Sequence, residues 1–120
     1  MPDREYDNLF GTSQPVIFAF HGYQNAVHQI VHGRPDPGRF HVRGFKEQGT
    51  TTTPFDMVVL NGISRFQLAA LAVKYGLPDN ARRRELMATL DERMRAVVSY
   101  TREHLEDPGE IAEWVWGSEF

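Results

Sequence analysis

The sequence predicts a layered α/β fold, with a small, mostly parallel or mixed sheet and helices on both of its faces, in one domain spanning residues 1–120. Three observations carry this expectation. Residues 15–20 (PVIFAF) form an unbroken apolar run rich in β-branched and aromatic side chains, the composition of a strand covered on both faces. Directly after it, apolar residues recur at helical rather than alternating spacing. Residues 40–45 (FHVRGF) then alternate apolar and polar positions, as a strand with one less buried face does. Strand, helix and strand in that order make the unit from which parallel sheets are built.

Each element has its own local signals. A first short helix places Tyr6, Leu9 and Phe10 on one face, with Asp3 positioned to cap it and Gly11 suited to a left-handed stop. After the first strand, His21-Gly22 supplies a tight turn, and Ala26, Val27, Ile30 and Val31 define a helix that Gly33, Pro35 and Pro37 end. Thr53-Pro54-Phe55-Asp56 offers a hydroxyl cap, a proline at the first helical position and a carboxylate at the third. The following Met57-Val58-Val59-Leu60 extends that helix or, by its β-branched content, makes a third strand, and Asn61-Gly62 breaks it either way. Ser64 and Gln67 form a capping box, with Ile63 and Leu68 as a hydrophobic staple, for a helix ending at Gly76. The longest helix runs from Asn80 to about Leu105, with Leu86, Leu90, Met94, Val97, Thr101 and Leu105 on its apolar side and Asp91 to Arg95 as a supporting ion pair. Asp107-Pro108-Gly109-Glu110 repeats the cap, proline, carboxylate order and opens a last short helix carrying Ile111, Trp114, Val115 and Trp116. No internal repeat, linker or low-complexity tract interrupts these elements.

Composition narrows the function. A chain of 120 residues buries roughly two-thirds of its unfolded surface, enough for one core. Thirteen Lys and Arg against sixteen Asp and Glu leave a formal charge of −3, so no general basic field exists for nucleic acid. The absence of cysteine excludes disulfides and thiolate chemistry, and no uninterrupted apolar run or leader-like N-terminus argues for a membrane or export. The expected location is cytoplasmic.

Candidate chemistry is sparse. His28 and His32 have the spacing of two metal ligands on a helix, but no HExxH pattern and no cysteine accompanies them, and the reading preferred is a pair of solvated or partner-facing histidines. Residues 44–50 (GFKEQGT) imitate a phosphate-binding loop without the lysine that should follow the second glycine. Thr50, Thr51, Thr52 and Thr53 nevertheless bring four hydroxyls to a helix start, either as caps or as anion contacts. Arg43 either completes such an anion site or pairs with Glu47, and His21 and His41 sit at strand ends, where parallel sheets place their sites. Arg82-Arg83-Arg84 opposes the dipole of its helix, as a solvated face or a partner patch, and Trp114 and Trp116 are docking anchors or interface residues. No Gly-x-Ser-x-Gly elbow is present.

Three stretches carry a further signal: residues 16–23 (VIFAFHGY), residues 40–45 (FHVRGF), and above all Gly49-Thr50-Thr51-Thr52-Thr53-Pro54-Phe55-Asp56-Met57 running into Val58-Val59-Leu60-Asn61. With Tyr100-Thr101-Arg102-Glu103-His104 and the closing Trp114-Val115-Trp116, the chain resembles the C-terminal domain of xylulose-5-phosphate/fructose-6-phosphate phosphoketolase, a transketolase-like enzyme. Phe45 stands where that family more often has tyrosine, and Gln48 where it has a second glutamate. The resemblance implies cleavage of a ketose phosphate with inorganic phosphate to acetyl phosphate and an aldose phosphate, by thiamine diphosphate and magnesium held in upstream domains. It implies no catalytic, cofactor-binding or metal-binding residue in this chain, which is inactive when isolated and lacks the family domain's first strands. His21, His41, Arg43, Glu47 and the threonines 50 to 53 are then anion or interdomain contacts. An unpaired sheet edge predicts a homo-oligomer alongside the upstream domains as partner. The alternative is a stand-alone regulatory or binding module for a phosphorylated metabolite.

Overall fold

The computed structural model describes residues 1–46 and 51–118. It divides into two compact units, Met1–Lys46 and Glu47–Phe120. The first is a small layered α/β structure: α1 (Asp3–Phe10), β1 (Val16–Tyr23), α2 (Gln24–Val31), a single 3-10 turn and β2 (Phe40–Phe45). The second is helical, with α3 (Pro54–Leu60), α4 (Arg65–Gly76), α5 (Ala81–His104) and α6 (Gly109–Ala112).

In the first unit β1 and β2 pair in parallel, with Val16 opposite Phe40 and Phe18 opposite Val42. Side chains alternate across a strand, so Val16, Phe18, Phe20, Phe40 and Val42 share a face. They pack with Tyr6 and Phe10 of α1 and Val27 and Val31 of α2. Ile17, Ala19, His41 and Arg43 take the opposite face, where Ala19 is exposed and Ile17 half-buried, so β1 is less covered than its unbroken apolar run predicts.

The expected turn at His21-Gly22 is instead strand: β1 runs on to Tyr23, with a register shift between Ala19 and Tyr23. The reason is a close backbone approach. A Cβ on Gly44 would stand 2.3 Å from the Gly22 carbonyl oxygen, so glycine at 44 lets the strands meet past the irregularity.

Asp3 does not cap α1. The residue at the cap is Pro2, without a side-chain hydrogen bond, and Asp3 pairs with Arg34, whose guanidinium also lies 4.7 Å from the Tyr6 ring centre. Gly11 does end the helix, at φ 67°. A buried cation then organises the crossing from α1 to β1: Arg39, 7% exposed, donates from Nη1 to the Phe10 and Gln14 carbonyls and from Nη2 to the Gly11 carbonyl. Nothing in the local sequence pattern singles out Arg39 among thirteen basic residues, because its role depends on a loop 25 to 29 positions away.

In the second unit residues 54–60 are helix rather than strand. The Ser64 capping box forms on both sides, with Gln67 N donating to Ser64 Oγ at 3.3 Å and Ser64 N to Gln67 Oε1 at 3.0 Å. Gln67 Nε2 also donates to the Val59 carbonyl, tying the end of α3 to the start of α4. Pro54–Gly76 holds an 18-residue window with a mean hydropathy of 1.2, apolar enough by length and composition for a membrane span. The break at Asn61 to Ser64, both deeply buried, divides it into helices of 7 and 12 residues. Each is shorter than the roughly 20 residues a crossing requires.

Phe66, Val97 and Ile111 form the core here, with Phe55, Leu90 and Met94 against it. Arg65 lies beside it, its guanidinium 4.8 Å from the Trp114 ring centre and 4.9 Å from that of Phe66. Burial pushes its pKa below the ordinary arginine value, opposed by the nearby Glu110 carboxylate. Trp114 is thus an anchor, whereas Trp116 is 93% exposed. Leu105, expected on the apolar side of α5, is its left-handed cap at φ 60° and is 84% exposed.

Candidate functional site

The candidate residues fall in both units. In the first, His41 and Arg43 share a sheet face, opposite Ile17 and Ala19 in the β1 register. Arg43 Nη1 donates to the Val42 carbonyl at 2.9 Å, and the His21 ring at the far end of β1 lies 5.7 Å from that of Phe45. Thr51, Thr52 and Thr53 belong to the second unit, and Glu47 and Thr50 lie outside the described residues, as does Gly49 of the loop-like string.

The threonines sit in a carboxylate-centred network. Thr53 caps α3 as predicted, its Oγ1 accepting from Asp56 N at 3.2 Å. Thr52 Oγ1 donates to Asp56 Oδ2 at 2.6 Å. The surprise is Asp107, which the sequence assigns to its own helix. The cap position of α6 is Pro108, without a side-chain bond, and Asp107 instead reaches α3. Its Oδ1 accepts from Thr53 Oγ1 at 2.5 Å and from Thr101 Oγ1 at 3.5 Å, and its Oδ2 accepts from Phe55 N at 3.3 Å. A carboxylate offers several lone pairs, so one residue joins the start of α3, the last turn of α5 and the entry to α6.

This network floors an open cleft of about 520 Å³ lined by Thr51, Thr52, Thr53, Asp56, Thr101, Arg102 and Leu105. Arg102 is exposed and has no ion-pair or hydrogen-bond partner among the described residues. The sequence places Thr101 on the apolar side of α5 and gives Arg102 only through the resemblance, because a site built from two segments 50 residues apart leaves no local pattern.

Other candidates resolve into local roles. Arg82 pairs with Glu85 at 3.4 Å and Arg84 with Asp79 at 3.3 Å, while Arg83 Nη1 donates to the Leu77 carbonyl at 3.4 Å. His28 lies in the last turn of α2 and His32 is its C-cap, its N–H donating to the His28 carbonyl at 3.0 Å. Among the described residues no grouping of three or more His, Asp or Glu could hold a metal ion.

The family model of the XFP C-terminal domain, the phosphoketolase C-terminal domain, matches residues 1–116. The chain belongs to this family. The phosphoketolase C-terminal domain match thus runs across both units. A probable phosphoketolase of Mycobacterium avium is 50% identical over 121 residues, covering 97% of this chain and 14% of the relative. One from Brucella abortus is 46% identical over 114 residues, covering 95% of this chain and 14% of its own length. One from Nocardia farcinica is 46% identical over 120 residues, covering 97% and 14%. The chain therefore spans about one-seventh of the length of these phosphoketolases, and Thr51 to Thr53 of the recognisable threonine string line the cleft.

Proposed function

We propose that this chain is the C-terminal, non-cofactor-binding segment of a phosphoketolase that cleaves xylulose 5-phosphate or fructose 6-phosphate with inorganic phosphate, giving acetyl phosphate and an aldose phosphate. The observation that carries this reading is the match over residues 1–116 together with 46–50% identity to proteins seven times longer. Because one family model spans both units, we treat residues 1–120 as one domain. In such an enzyme thiamine diphosphate with magnesium supplies the carbon–carbon cleavage. No residue of this chain is assigned to that group, which the family resemblance implies for the upstream domains. Catalysis is assigned to the upstream domains and the isolated chain is expected to be inactive, in a cytoplasmic enzyme.

A two-stranded sheet supports the proposal of partners. Each of its strands has one outer edge, and a sheet of this size is marginal by itself, so an added strand from upstream domains or from a second copy completes it. His21, His41 and Arg43 then serve as interdomain contacts.

The test is acetyl phosphate formation from xylulose 5-phosphate, phosphate, thiamine diphosphate and magnesium. We expect it from the polypeptide joining this chain to upstream phosphoketolase domains, and not from the 120-residue chain. No product from the joined polypeptide overturns the proposal, as does product from the chain alone. Light scattering of the chain tests the second element, where a monomer at all concentrations removes self-association.

A further inference from the structure

We propose that the groove between α4 and α5 seats Trp116 of a second copy of this chain, in a reciprocal pair where each copy gives its own Trp116 to the other. The groove holds about 260 Å³ between Phe66 and Ala70 of α4 and Met87, Leu90 and Met94 of α5. Small-molecule sites span roughly 300–1,000 Å³, so this one has the size of a single bulky side chain. Ala70 leaves the gap, and the two thioethers suit an aromatic ring. Asp91 on the same lining pairs with Arg95 Nε at 2.8 Å through Oδ2 and keeps further lone pairs for an indole N–H. Trp116 has the complementary shape. It is 93% exposed, next to Val115 at 66%, and meets the ring of Trp114 edge-on at 5.9 Å between centres. An exposed tryptophan of this kind is the commonest type of interface anchor.

Charge selects the occupant. Residues 103–118, which carry Trp116, hold five carboxylates and no Lys or Arg, and Glu103, Glu106, Glu110 and Glu113 are exposed. The groove has the opposite sign at its other end. One helical turn beyond Ala70 stands Lys74, one turn before Met87 stand Arg83 and Arg84, and residues 74–85 hold four cations against two carboxylates. Three arginines at the start of α5 oppose its dipole, and the pairs of Arg82 with Glu85 and Arg84 with Asp79 are exposed on both sides, where such pairs contribute little. An acidic partner segment supplies the charge this cluster lacks. A neutral apolar peptide would fill the groove and leave the cations unmatched, whereas the acidic segment ending in Trp116 answers both. Two such contacts about a two-fold axis close the assembly. The pairing uses the helical unit alone and depends neither on the sheet edges nor on the catalytic reading.

The experiment is light scattering with sedimentation equilibrium of the 120-residue chain over a range of concentrations, for the parent, Trp116→Ser, Ala70→Phe and the pair Arg82→Glu with Arg84→Glu. The parent should dimerise. Trp116→Ser, at a position too exposed to govern folding, should weaken the dimer at least about thirty-fold, the loss of one hot-spot aromatic. Ala70→Phe, which fills the groove, should do the same. The two charge reversals should weaken it several-fold and reduce its sensitivity to salt. Mixing Trp116→Ser with Ala70→Phe restores one of the two contacts, so the mixture should associate where neither variant does alone. Amide shifts of the parent on dilution, which need no variant, should move at Ala70, at Met87 to Met94 and at Val115 to Gly117. A monomer at every concentration overturns the proposal. So do a dimer indifferent to Trp116→Ser, as pairing through the sheet edges would give, a mixture that stays monomeric, or shifts confined to other residues.

Discussion

Asp107 accepts the hydroxyl proton of Thr53 across 54 positions of sequence, with Thr53 itself accepting from Asp56 N as the α3 cap. The cap of one helix is thereby oriented by the residue that leads into another. Removing either partner strands the rest of the network, because Asp107 also accepts from Phe55 N and Thr101.

Thr53→Val and Asp107→Ala are each expected to destabilise the helical unit by about 1–3 kcal/mol, the range for a hydrogen bond to a charged group. The double variant should lose less than the sum of the two, since both changes remove one shared interaction. Urea denaturation of the four proteins measures this, and strict additivity would show the two residues to be independent.

Arg39→Lys is expected to cost about 2 kcal/mol or more despite conserving charge, because a single ammonium cannot reproduce the fork that serves the carbonyls of Phe10, Gly11 and Gln14. Hydrogen exchange should show the loss first as faster exchange in α1. Unchanged protection there would mean the carbonyls are satisfied without Arg39.

Gly44→Ala should loosen the sheet by about 1–3 kcal/mol, since the new methyl would lie 2.3 Å from the Gly22 carbonyl oxygen and one strand must move. Amides of Val42 and Phe45 report on the pairing. An alanine variant as stable as the parent would refute the close approach.

Leu105→Gly runs the other way. Leu105 holds a left-handed conformation, which costs a side-chain-bearing residue about 1 kcal/mol, and at 84% exposure it returns little burial. Glycine there should raise stability by about that amount in thermal or urea unfolding. A less stable variant would mean that Leu105 makes apolar contacts that outweigh its strain.

The sequence by itself determined the elements whose causes are local. The Ser64–Gln67 box, the Thr53 cap, the stop at Gly11 and the long period of α5 are interactions within a few residues, so composition and spacing specify them. The family was legible for the same reason, in a contiguous threonine string. Residues 57–60 are open between helix and strand by β-branched propensity alone, and the Thr53 cap at one end with the Gln67 Nε2 bond to the Val59 carbonyl at the other holds them as helix. Tertiary structure alone decided which carboxylate serves which helix. Asp3 and Asp107 both stand where a cap belongs, and each is drawn to a distant partner, Arg34 or Thr53, that offers a stronger bond than its own helix start. It also decided that Arg39 is interior and Arg102 exposed on a cleft, two arginines alike in sequence, because only the fold determines whether a guanidinium meets a turn of carbonyls or open space.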